Sequence, residues 1–191
     1  LPLILFPALG VMSVGRAAAP YANPIIFLFM GGFFIAIALE KHRLHERIAL
    51  NLIKLTGTSG NGIIMGFMIS TAFISMWISN TATAMMMLPI AVSVVKLIIP
   101  ENRMLGDGKL SGEQNFALGL MLAVGYAATL GGLATIIGTP PIVVFIGLLN
   151  DFNGPTISFG QWMLIGVPVA LVLLVANYFI VTRILFPSKL D

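Results

Sequence analysis

The stretch Ser75-Met76-Trp77-Ile78-Ser79-Asn80-Thr81-Ala82-Thr83 interrupts residues 62–96, a run that is mostly apolar and carries no charge before Lys96. That run is too long for one ordinary bilayer crossing, which takes roughly 20 residues. Ser75, Ser79, Asn80, Thr81 and Thr83 form a polar island at its centre. The turn holds no charge, glycine or proline of the kind that an exposed loop uses. Hydroxyls and an amide suit a turn buried inside protein, where backbone freed from helix lines a cavity. Two arms of about 17 residues, roughly 25 Å each, nearly span the hydrocarbon. The predicted element is therefore a re-entrant helical hairpin over residues 62–97.

The same pattern recurs further along. Residues 113–149 again exceed one straight span, and Gly131-Gly132 and Gly138-Thr139-Pro140-Pro141 interrupt them. Each interruption reads as a helix start. Ser, Asn and Thr are preferred N-cap residues, so the arm leaving Ser79 presents free N–H groups and the positive end of its dipole. An anion site results without a charged side chain. The incoming arm ends there with unpaired carbonyls of the sort a sodium ion accepts, and Ser75 and Ser79, four apart, share one face. At the second point Thr139 is placed to cap, and proline suits the first helical position because it lacks the N–H that would be orphaned. Two half-helices starting at one depth are the arrangement of transporters built on discontinuous helices.

The remaining composition agrees with a membrane setting. Of 191 residues, 58% are hydrophobic and 9% charged, with mean hydropathy +1.02, whereas soluble domains carry roughly a quarter charged residues. Residues 24–39, 55–95, 114–150 and 152–182 hold no charge at all. A soluble fold is excluded. The net charge of +3 does not indicate nucleic acid, because the basic residues lie in short links without interleaved aromatics. With no cysteine, disulfides and Cys-ligated metals are excluded, and no organic cofactor is expected. His42 and His45 sit among interfacial charges rather than in a metal cluster, and Met85, Met86 and Met87 read as packing.

Around the two long segments, residues 1–15 read as the tail of an earlier helix, and the chain, beginning Leu1-Pro2, reads as a fragment. Residues 25–39 form a clean span. Residues 44–55, with Leu44, Ile48, Leu52 and Leu55 at helical spacing and basic residues opposite, suit a helix lying in the membrane interface. Residues 159–182 form a last span. If the hairpin returns to its own side and 113–149 crosses once, Lys41, Arg43, Arg47, Lys54, Lys96, Arg103, Lys109, Arg183 and Lys189 share one face. Only Arg16 of the ten basic residues is then opposite, and the positive-inside rule makes the shared face cytoplasmic.

The run Met76 to Thr83, continuing to Met87-Leu88-Pro89, resembles the Ser-Asn-Thr signature of the divalent-anion/sodium symporters, the sodium-dicarboxylate cotransporters. Gly138-Thr139-Pro140-Pro141 resembles that family's second unwound loop. Gly31-Gly32-Phe33 through Glu40, followed by His45-Glu46-Arg47-Ile48-Ala49-Leu50, is similar to its third helix and interfacial helix. The resemblance covers nearly the whole chain. One departure is Ile142, where family members often carry Asn after the paired prolines.

The resemblance implies an all-α, polytopic membrane protein, here one inverted-repeat half with a re-entrant hairpin and a broken transmembrane helix. Residues 1–55 would be scaffold, residues 56–149 half of a transport domain, and residues 150–191 a loop and final scaffold span. It implies no enzyme but a sodium-coupled symporter of C4-type dicarboxylates such as succinate, malate or fumarate, working as an elevator in the plasma or inner membrane. Sodium would bind at Ser75, Ser79, Asn80 and the Gly138 carbonyl. Asn80, Thr81 and Thr139 would contact the substrate carboxylate. The partners implied are sodium, the dicarboxylate, the lipid bilayer, a second copy in a homodimer joined through scaffold helices, and a C-terminal repeat that this chain lacks. A sodium-independent exchanger or sulfate carrier of the same superfamily, and less closely an ion channel, are the alternatives.

Overall fold

The computed structural model describes residues 1–22, 24–44, 47–48, 51, 55–57, 59–99, 112–152 and 154–187. Its helices are α1 (Pro2–Ala8), α2 (Val14–Ala18), α3 (Pro24–Lys41), α4 (Gly60–Ser75), α5 (Asn80–Ile98), α6 (Gly112–Gly132), α7 (Pro140–Asp151) and α8 (Phe159–Phe179). A 3₁₀ turn, Ala19–Ala22, precedes α3, and a π-helical turn, Ile180–Leu185, prolongs α8. No strand occurs among the described residues. Three helices, Asn80–Ile98, Gly112–Gly132 and Phe159–Leu185, are long and apolar enough to cross a bilayer, and a fourth span arises if α2 and α3, bent by 43°, count as one. The protein is an all-α polytopic membrane protein.

Residues 1–15 are not one helix. Helix α1 stops at Ala8, Gly10 takes the left-handed region at φ +68, and Ser13 is extended before α2 begins. Apolarity alone does not betray such a stop, since hydrocarbon-like composition continues through it. Within 44–55, Leu44, Arg47, Ile48, Asn51 and Leu55 are helical. His45, Leu52, Lys54, residues 100–111 with Arg103 and Lys109, and Lys189 lie outside the described residues.

The core is a parallel pair with two antiparallel neighbours. On α4, Ile64 lies beside Gly119 of α6 and Ala72 beside Gly131, so α4 and α6 run the same way. On α8, Val181 lies beside Gly119 and Gly166 beside the carbonyls of Leu133 and Ala134, so α8 runs the other way. Helix α5 starts with Asn80 against Gly132 and buries Thr83, Met87, Ala91 and Val95, one residue in four, in the same core as Leu120 and Phe116. A stripe at that spacing is the inward face of a helix. The starts of α4 and α6 and the end of α8 thus share one end of the bundle.

The tightest seam is between α4 and α6. A Cβ on Gly131 would run into the backbone of Ala72. Small residues let membrane helices approach at backbone distance. Gly131→Val is expected to force this seam apart at a cost of about 1–3 kcal/mol, read as a lowered thermal unfolding midpoint of the purified protein, with Gly131→Ala intermediate.

Candidate functional site

Two helix ends and two helix starts meet beside this seam. Helix α4 closes on itself at Met76, Trp77 and Ile78, whose N–H groups donate to Ala72 O (3.2 Å), Ile74 O (3.0 Å) and Ile74 O (3.2 Å). Ser79 is then extended, at φ −58 and ψ 147, and its Oγ accepts from Ala82 N at 3.4 Å, capping α5. On the other side α6 ends at Gly132, and α7 begins at Pro140, with Ile142 N donating to Thr139 O at 3.1 Å. Both starts follow the chemistry of the sequence, a serine cap in one case and a first-position proline in the other.

Three cross-links hold the breaks together. Ser75 Oγ donates to Ala128 O at 2.6 Å. Thr135 Oγ1 donates to Met76 O and accepts from Gly138 N at 3.1 Å, so one hydroxyl serves backbone from both breaks. Trp162 Nε1 of α8 donates to Leu133 O at 3.1 Å. The links to Met76 O and Leu133 O satisfy carbonyls that have left their helices, which hydrocarbon requires, whereas Ala128 O lies within α6.

Asn80 sits where these elements converge. The inner heteroatom of its amide lies 3.0 Å from Ser75 Oγ, 3.1 Å from Ala128 O and 3.2 Å from Gly138 O. With nitrogen there, the amide donates into a ring of acceptors and the site is neutral and closed. With oxygen there, it can accept only the Ser75 hydroxyl hydrogen, which is also directed at Ala128 O, and it faces two carbonyl oxygens, a crowding that a cation would relieve. In that orientation Nδ2 faces outward, 3.4 Å from Thr139 Oγ1. A Cβ on Gly132 would strike Asn80 Oδ1 and come within 2.6 Å of Thr139 Oγ1, so the absence of a side chain there makes room for the amide.

Of the residues singled out in the sequence, Ser75, Asn80 and the Gly138 carbonyl come together, and Thr139 lies at their edge. Ser79 is engaged as the α5 cap. Thr81 is exposed on the surface of this chain, one position beyond Asn80. Two participants were missed. The Ala128 carbonyl carries no side-chain signature. Thr135 did carry one, a hydroxyl set between Gly132 and Gly138. Among the described residues no group of three or more His, Cys, Asp or Glu could hold a metal ion. Neutral hydroxyl, amide and carbonyl oxygens instead fit a weakly held hard cation.

These features define an integral membrane protein built on interrupted helices. Residues 1–190 match the citrate transporter family, and the chain belongs to it. It is 46% identical over 186 residues to the sodium-dependent dicarboxylate transporter SdcS of Staphylococcus saprophyticus, a match covering 97% of this chain and 36% of that protein. It is 42% identical over 174 residues to the protein of the same name in Staphylococcus aureus strain NCTC 8325, covering 91% and 33%. The chain therefore spans about a third of the length of these curated relatives.

Thr135 is the clearest test of the bracing. Thr135→Val leaves Met76 O and Gly138 N without their partner, and buried groups so stranded cost about 1–3 kcal/mol each. The expected result is a fall in the unfolding midpoint that Thr135→Ser largely rescues.

Proposed function

We propose that the chain is the first half of a sodium-coupled symporter for C4-type dicarboxylates, with succinate, malate and fumarate as its class of substrate. The observation that carries this reading is the convergence of Asn80, Ser75, Ala128 O and Gly138 O where two interrupted helices meet. The relatives are named sodium-dependent dicarboxylate transporters, which agrees with it. The hairpin 62–97 and the broken helix 113–149 form the moving half-domain. Residues 1–55 and 150–191 form scaffold that pairs with a second copy in a homodimer. A second repeat in inverted orientation supplies the rest of the substrate site, and the basic links face the cytoplasm of the plasma or inner membrane.

Sodium binds first, among Ser75 Oγ, the Asn80 amide oxygen and the carbonyls of Ala128 and Gly138, with Ser79 holding the helix start beside it. Its charge decides which way the Asn80 amide lies. With oxygen turned to the ion, Nδ2 turns outward beside Thr139 Oγ1 and donates to a substrate carboxylate, together with the Thr81 hydroxyl. Without the ion the amide nitrogen turns inward and its oxygen meets the carboxylate, oxygen against oxygen. Substrate binding thereby depends on sodium through one side chain. The positive end of the α5 dipole adds to the attraction. Inward movement of a dianion against the membrane potential requires at least two monovalent cations for neutrality, and each further charge gains about 2.3 kcal/mol per 100 mV.

In the full-length transporter, Asn80→Ala is expected to abolish sodium-dependent uptake of radiolabelled succinate while leaving expression intact. Unaltered uptake would dispose of the assignment. Asn80→Asp separates the two roles. It keeps an oxygen toward the ion but presents another to the substrate, so sodium binding persists while succinate affinity falls by at least about a hundredfold. Two unit charges about 4 Å apart near a protein surface repel by about 4 kcal/mol.

A further inference from the structure

Apart from Ser75 and Thr81 beside the first break, the serine and threonine hydroxyls of α4 to α8 and its π-helical extension divide into two kinds. Ser70, Ser93, Thr129 and Thr182 each donate to the carbonyl four residues back, to Gly66, Pro89, Gly125 and Tyr178. That is how a membrane helix disposes of a hydroxyl internally. Thr71 and Thr83 do not do this. Both residues are 0% exposed, and neither Oγ1 has a hydrogen-bond partner among the described residues.

Their register places them together. Ser75 and Asn80 touch across the first break. Thr71 precedes Ser75 by four residues and Thr83 follows Asn80 by three, about 6 Å and 4.5 Å along their helices. Because α4 runs with α6 and α5 against it, the two steps lead the same way, back from the break into the bundle. Spacings of four and three keep each hydroxyl on the face of its arm that carries Ser75 or Asn80, at about the same depth behind the oxygen cluster. Beyond them Phe67, Ile64, Met87 and Leu120 are fully buried apolar side chains, so this polar level ends in a dry core.

We infer that Thr71 and Thr83 hold an internal water that bridges the two arms of the hairpin. A buried hydroxyl with no partner costs free energy, and two at one level supply the two or more partners that an internal water needs. A second cation does not fit. Two hydroxyls are too few ligands, and Thr83 lies in the first turn of α5, where the positive helix end opposes positive charge. The inference does not depend on which ion, if any, the neighbouring cluster binds.

Thermal unfolding of the purified full-length transporter, in buffer without sodium, tests it through isosteric valine substitutions. If a water joins the two hydroxyls, Thr71→Val and Thr83→Val each leave it short of a partner. Each variant then lowers the unfolding midpoint by about 1–3 °C. The double variant recovers most of that loss, because the level becomes apolar and dry. If instead each hydroxyl is simply orphaned, each valine raises the midpoint and the effects add, which overturns the inference. A high-resolution structure of the full transporter supplies the second arm. Ordered density within hydrogen-bond distance of both Oγ1 atoms supports the bridge, and contact of either hydroxyl with a protein carbonyl overturns it.

Discussion

A helix that stops inside hydrocarbon leaves carbonyl and amide groups that neither lipid nor its own next turn can satisfy. Everything near the centre of this chain answers that demand. Ser79 takes an amide of α5, Thr135 takes a carbonyl from one break and an amide from the other, and Trp162 takes a carbonyl of the second break. The two interruptions are stable because they complete each other. Separately, each would be a defect costing several kcal/mol. Pressed together, they leave a small surplus of oxygens, and that surplus is the chemistry of the site.

The site is also neutral. Among the described residues the site contains no ionised side chain, and its polarity comes from backbone, hydroxyls and one amide. Charged side chains at the centre of a bilayer are expensive. An amide has an acceptor end and a donor end, so one residue offers a face to a cation and a face to an anion. Both faces of the Asn80 amide have partners within 3.4 Å.

Much of this was legible from residue types. Helix starts announce themselves through side chains, so Ser79 before a helix-favouring run and Thr139 before two prolines located both breaks to the residue. The polar island in a charge-free run marked the hairpin. Helix ends are made by backbone, and there the reading failed. The stop after Ala8 depends on Gly10 adopting a left-handed turn within unbroken apolar sequence. The last helix runs past Thr182 as a π-helical turn to Leu185, for which the side chains give no signal. Ala128 contributes a carbonyl, and an alanine in the middle of a helix looks like packing until a serine of another helix is found against it.

The contact of Gly131 with the backbone of Ala72 has a mechanical consequence. Side chains can shear past one another by changing rotamer, but two main chains in contact have nothing to rearrange. Helices α4 and α6 are therefore keyed together like tooth and notch. The hairpin and the helix packed on it are held as one rigid unit, and the oxygens they share keep their spacing.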